Sequence, residues 1–175
     1  AGTPRGPVDD LANDQGGWPV GSSFFFQNGQ YHILNTSPSR TATIFYSSYM
    51  FVNFHLSVTM SEVRGSRDGG DYYGVVFRAS NDQSRYYLFE MVAWAGGEYG
   101  FLRYDAGGWT TLAVGNVPGM LGAPGQSNVV TIEATKNRFT FFINNQQLGK
   151  PVVDKSRAAL LSGMVGLMVE EQNTE

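Results

Sequence analysis

The sequence contains no cysteine, which excludes disulfides, thiolate metal sites and cysteine nucleophiles together. Charge is scarce as well. Twelve Lys and Arg against fifteen Asp and Glu leave a net charge of -3 over 175 residues. No basic run is long enough to neutralise a line of phosphates, so nucleic acid is not an expected partner. Apolar runs fall far short of the ~20 residues that a membrane-spanning helix needs, and no transmembrane segment is expected. Histidine is limited to His32 and His55, without a His-x-x-His or His-Glu-x-x-His pattern. Neither a Gly-x-Gly-x-x-Gly nor a phosphate-loop motif occurs.

What the chain does have is glycine and aromatic rings: 22 Gly, 12 Phe, 9 Tyr and 3 Trp, within an apolar content of 42%. That composition argues against disorder, and a chain of this length buries roughly 70% of its unfolded surface in one core. The start at Ala1 fits a mature protein after signal removal or an excised domain. The triplet Asn35, Thr36, Ser37 has the form of a glycosylation acceptor, a pattern that chance supplies often.

Alternation with period two dominates. Met50, Val52, Phe54, Leu56, Val58 and Met60 are apolar with polar residues from Asn53 to Thr59 between them, which predicts one long strand over 50–60. Tyr73, Val75, Phe77 and Ala79 alternate in the same way, and the Asn81, Asp82, Gln83 cluster then turns the chain into a strand over 85–92. Gly96 and Gly97, then Gly107 and Gly108, mark reversals around strands over 99–104 and 109–114, giving an antiparallel meander. The Gly and Pro stretch 115–125 predicts no regular element. Strands follow around Val130 to Ala134 and Phe139 to Ile143, then a short one over 146–149 and a last one over 164–169. Shorter strands are expected over 30–34 and 43–46. One helical turn is expected near 155–161, capped by Asp154. About eleven strands with almost no helix predict an all-β, two-sheet antiparallel sandwich, and the long, Gly-punctuated strands suit a jelly roll with a concave face.

The order of particular residues resembles a known family. Asp9 and Asp10, then Gly17, Trp18 and Pro19, then Asn28, Gly29, Gln30 and Tyr31 are similar to the opening of concanavalin A-like lectin/glucanase domains of bacterial extracellular proteins. Tyr73 to Arg78, Tyr86 to Phe89, Trp109, the Phe141 to Asn144 run and the closing Gly163, Val165, Gly166 and Leu167 continue the pattern across essentially the whole chain. The resemblance implies one jelly-roll domain over 1–175 and a secreted or cell-surface location. It bears weakly on function, because lectins, glucanases, laminin G-like adhesion modules and carbohydrate-binding modules share the fold. It also implies a further strand after the Gly-x-x-Gly stretch, beside the N-terminal strand, whereas the chain stops at Glu175. A trimmed chain, an unrecorded tail, or a strand supplied by a neighbour each accounts for that, the last through strand addition at an open sheet edge.

Glucanases of this kind carry paired carboxylates on one strand, and a retaining mechanism needs two carboxyls about 5 Å apart. Neither Glu-x-Asp-x-x-Glu nor Glu-x-Asp-x-Glu is present. Glu90 and Glu98 each lack a second acid at alternate spacing, and Glu170 and Glu171 are adjacent, so on a strand they face opposite ways. Hydrolysis by that mechanism is disfavoured. The Asp68, Gly69, Gly70, Asp71 segment offers oxygens to calcium, with Asp68 and Asp71 as the candidate ligands; its competing reading is a polar turn. No cofactor is required.

Sugars are gripped by aromatic faces and planar polar groups. By strand parity His55, Arg78, Tyr86 and Glu90 oppose the apolar set and are expected to share the concave face. Arg78 and Glu90 have a competing structural reading, as an ion pair or a hydrogen bond to a loop. Trp94, before Gly96 and Gly97, is an expected exposed platform, whereas Trp18 and Trp109 read as structural. Arg103 is a further candidate whose face is ambiguous by one residue of register. The favoured reading is a non-catalytic module binding a neutral glycan on the concave sheet face. Its alternatives are a structural or adhesive module that binds protein or itself, and a glycoside hydrolase without the glucanase motif, resembling the keto-disaccharide hydrolase-like branch.

Overall fold

The computed structural model describes residues 9–36, 41–65, 70–93, 96–171 and 173–175. Alternating apolar residues produce strands that each bury one face, and the Gly, Asn and Asp pairs between them produce the turns. A hairpin comes first, β1 (Phe24–Gln27) and β2 (Gln30–Ile33), around the two-residue turn Asn28-Gly29. Both turn residues have positive φ, 52° and 72°, as a twisted two-residue hairpin requires. The sequence pattern had pointed to the second of these strands only, because Phe24, Phe25 and Phe26 show no alternation.

Two larger antiparallel sheets follow. The six-stranded one has the order β3 (Thr41–Phe51), β13 (Gly163–Glu170), β5 (Tyr73–Ala79), β6 (Tyr86–Val92), β7 (Glu98–Asp105), β8 (Gly108–Asn116). The five-stranded one runs β11 (Gln146–Gln147), β10 (Arg138–Ile143), β9 (Ser127–Thr135), β4 (Phe54–Ser61), and β12 (Val152–Val153) also pairs with β10. Residues 117–126 form no regular element, as their Gly and Pro content predicts.

The core lies between these sheets. Val75, Phe77, Tyr87, Phe89 and Phe101 from one meet Val130, Ile132, Phe139 and Phe141 from the other, all essentially without solvent contact. Ring centroids of Phe101 and Phe89 stand 4.6 and 4.7 Å from that of Phe141. Each such side chain contributes roughly 1.5–3 kcal/mol by leaving water.

Two expectations change. The strand expected over 50–60 is the end of β3 and all of β4, with a reversal at Val52 and Asn53. Met50 and Val52 are about half exposed, so their alternation reports no buried face. The turn is held from outside: Asn53 Oδ1 accepts from the Lys136 amide at 2.8 Å, and the Val52 carbonyl accepts from Arg78 at 2.8 Å. The helical turn near 155–161 is absent. Asp154 does accept from the Ser156 amide at 3.0 Å as a cap would, but its other oxygen binds Arg103 and Tyr87 and pins the segment as a loop. The only helical element among the described residues is a single 3-10 turn, Asp14–Gly16, capped by Asn13. Asn35, the first residue of the glycosylation triplet, is fully buried.

Candidate functional site

The six-stranded sheet has a second face, turned away from the core, and its register arranges side chains there in rows. One row reads Thr43, Met168, Gly74, Glu90, Gly100, Val114. The next reads Phe45, Gly166, Val76, Leu88, Leu102, Thr111. Glu90 therefore has glycine on both neighbouring strands, with a third at Gly166, and all three glycines are buried. A Cβ at Gly100 would stand 2.9 Å from Glu90 Oε1, which shows that the Glu90 side chain lies across that glycine. Val76, Leu88, Met164 and Met168 form a small apolar cluster beneath the rest of the face.

Aromatic rings gather toward one end of the face. Tyr86 on β6 stacks on Tyr104 of β7 at 5.2 Å between centroids, and Trp109 of β8 lies 5.0 Å from Tyr104 and 5.8 Å from Tyr86. Phe45 meets Tyr86 edge-on at 5.9 Å. Trp109 is 48% exposed, a large apolar surface left facing water.

Acids occupy the other end. Burial pushes the Glu90 carboxyl up to about 7, with the neighbouring charge of Glu170 adding to the shift. Tyr72 is raised in the same way, by burial first and then by Glu98, Glu90 and Glu170, so one phenol stands among three carboxylates. They come from β6, β7 and β13, which explains why no one-strand motif revealed them. In chemical terms the face offers stacking rings and an acid whose proton affinity is raised.

Of the six ligand residues expected from sequence, Tyr86 and Glu90 share this face. His55 does not. It projects from the outer surface of the five-stranded sheet, on the opposite side of the sandwich, with Nδ1 3.4 Å from Glu133 Oε1. Arg78 is fully buried, and the reason is a β-bulge: β13 pairs Met164 with Ala79 but Val165 with Phe77, leaving Arg78 as the extra residue at φ 52°. The bulge turns its side chain into the end of the sandwich, where it donates to the carbonyls of Lys136, Leu160 and Val52 and lies 5.0 Å from the Phe139 ring centre. Arg103 pairs with Tyr87 on the core side of its sheet and binds Asp105 at 2.5 Å, Asp154 at 2.6 Å and Ser156 at 2.7 Å. Both arginines hold loops, which corrects the expectation that strand parity brings Arg78 to the ligand face.

Trp94 and Asp68 lie outside the described residues. Asp71 is buried and accepts from Thr174 Oγ1 at 3.0 Å. Among the described residues, no three His, Cys, Asp or Glu side chains converge as metal ligands would. The exposed tryptophan of the site is Trp109, which sequence reasoning had assigned to structure. Its partner Tyr104 was not singled out either. The signal was available in principle, since Tyr86, Tyr104 and Trp109 fall opposite one another once the two hairpins are aligned.

No protein-family model matches the chain, and no curated protein is detectably similar to it in sequence. Solved structures do match. The carbohydrate-binding module CBM66 from Bacillus subtilis superposes with a TM-score of 0.69 at 18% identity, covering 90% of this chain and 93% of the other. A Bacillus subtilis protein of unknown function with a galectin-like fold gives 0.66 at 12% identity, covering 94% and 89%. The catalytic domain of a Thermotoga petrophila endo-1,3-beta-glucanase, a laminarinase, gives 0.57 at 9% identity, covering 88% and 71%. The fold is that of the concanavalin A-like jelly-roll sandwiches, as the residue pattern implied. No helix in the described chain is long and apolar enough to cross a membrane.

Proposed function

We propose that this chain is a carbohydrate-binding module that holds a neutral glycan on the outer face of its six-stranded sheet. The observation that carries the reading is the exposed Trp109 packed against the half-buried Tyr104 and Tyr86 on this face. A pyranose or furanose ring stacks on such rings through its C–H face, while Glu90 on the same face offers a carboxyl to the hydroxyls. Three carboxylates on the same face disfavour an anionic sugar. The likeness to a carbohydrate-binding module supports the reading at the level of fold.

A glycan array and polysaccharide pull-down, run with and without calcium, test it. We expect retention on at least one neutral glycan, and a loss of tenfold or more in affinity for Trp109→Ala with only a small drop in melting temperature, because about half of the ring faces water. Silence across the panel overturns the proposal. Glu90, held up to about 7 by burial with the charge of Glu170 adding, also has the raised proton affinity of a general acid. The same panel is therefore assayed for released sugar, which would favour a hydrolase.

A further inference from the structure

Two hairpin turns stand side by side at the end of the six-stranded sheet that carries the aromatic rings. One, residues 80–85, leads into Tyr86 at the start of β6, and the other, Ala106-Gly107, joins β7 to β8. Between them lies a cleft of about 570 Å³, lined by Gln83, Ser84, Arg85, Tyr104, Asp105 and Gly107. Small-molecule sites span roughly 300–1,000 Å³, so the cleft has room for a sugar unit. Tyr104 belongs both to this cleft and to the stacked rings, which makes the two continuous.

The first wall is fixed before any ligand arrives. Asp82 accepts from Ser80 Oγ at 2.6 Å and from Ser84 Oγ at 2.8 Å, which ties the turn to itself. Arg85 Nη2 donates to the Ala158 carbonyl at 3.1 Å, on the segment that Arg103 clamps through Asp154. The rest of the Arg85 guanidinium and the Gln83 amide group meet no partner among the described residues. Asp105 gives Oδ2 to Arg103 and has no bond at Oδ1 among the described residues. Three planar polar groups thus line the cleft with hydrogen-bonding capacity to spare. Its lining holds one arginine and one aspartate, so no net charge is there to select an ion.

We propose that this cleft is a second sugar subsite: one unit of the glycan stacks on Trp109 and Tyr104, and the next enters the cleft, where Arg85, Gln83 and Asp105 take its hydroxyls. The inference rests on the reading of the rings as a glycan platform, and it adds that the site selects at least two linked units over a single sugar. Stacking reads the apolar face of a ring, whereas a guanidinium, an amide and a carboxylate read the positions of hydroxyls. Discrimination between glycans therefore lies in the cleft. The pinned turn lowers the ordering cost of binding there.

The test titrates the protein with the one-, two- and three-unit fragments of each neutral glycan that an array retains; for a β-1,3-glucan these are glucose, laminaribiose and laminaritriose. We expect the two-unit fragment to bind about tenfold more tightly than the single unit, as one or two added hydrogen bonds to a charged group provide. The third unit should add little. Arg85→Ala and Gln83→Gly should each remove most of the gain at two units and leave single-unit affinity unchanged, whereas Trp109→Ala weakens every length. Glycine suits Gln83's φ of 59°, so that variant removes the amide group without straining the turn. Equal affinity for one and two units overturns the inference, and so does an Arg85→Ala or Gln83→Gly loss that is the same at every length, which marks a structural role. Two-unit binding that depends on Trp109 but on neither Arg85 nor Gln83 also overturns it and leaves the platform reading standing. Silence across the array overturns both.

Discussion

Glu90 shows how much one position depends on its neighbours. Glycine on both adjacent strands leaves its carboxyl no polar side chain at its own level, and burial beside Glu170 holds it up to about 7. A carboxyl raised in the folded state binds its proton more tightly there than in the unfolded chain, so the contribution of Glu90 to stability is most favourable at low pH. It falls as pH rises from the ordinary carboxylate range through 7. The full contribution is on the order of 3 kcal/mol for a shift of this size. Glu90→Gln should therefore flatten the curve, stabilising the protein at pH 8 and leaving it nearly unchanged at pH 4.5, as read from urea midpoints across that range. A variant that tracks the wild type at every pH would falsify this assignment. Alternation alone reveals that Glu90 faces away from the core, but its raised proton affinity depends on burial in the folded sheet, with Glu170, eighty residues away in the chain, adding to it.

At the scale of the element, bulges and loops decide where the charged side chains go. The extra residue in β5 turns Arg78 inward, and Gly163 opposite it has no room for a Cβ, which would collide with the Arg78 and Ala79 backbone. In β7, Arg103 clamps the 154–161 segment through Asp154, itself held by Tyr87 at 2.8 Å. Asp154→Ala leaves a buried guanidinium facing an empty site. It should cost about 3–5 kcal/mol by chemical denaturation. Asp105→Ala removes a more exposed partner and should cost about 1 kcal/mol or less. Equal costs at the two positions would show that burial is not what distinguishes them. The polar-face parity that placed Arg78 beside Tyr86 in the sequence reading is sound for an unbroken strand. It failed because a bulge shifts every later residue by one, and nothing local in Val76-Phe77-Arg78-Ala79 announces a bulge.

For the whole molecule, the asymmetry between its two sides matters most. Leu56 on β4 and Ile132 on β9 are register partners, yet Leu56 is half-buried and borders an open cavity, whereas Ile132 is fully enclosed. Truncating Ile132 to alanine empties a packed volume and should cost about 3–4 kcal/mol, whereas Leu56→Ala should cost about 1–2 kcal/mol. The difference is measurable by equilibrium unfolding.

The sequence by itself determined the all-β character, most strands of the meander, the antiparallel hairpins and the residues of the core, because period-two alternation and Gly or Asn turns act over a few residues. It also placed Tyr86 and Glu90 on the face opposite the core. Only the tertiary structure decided that Trp109 and Tyr104 join Tyr86, that the charges of three acids from different strands act on Tyr72, and that Arg78 and Arg103 are spent on loops. These are properties of pairing between distant strands, where one residue of register or one bulge reassigns a whole face.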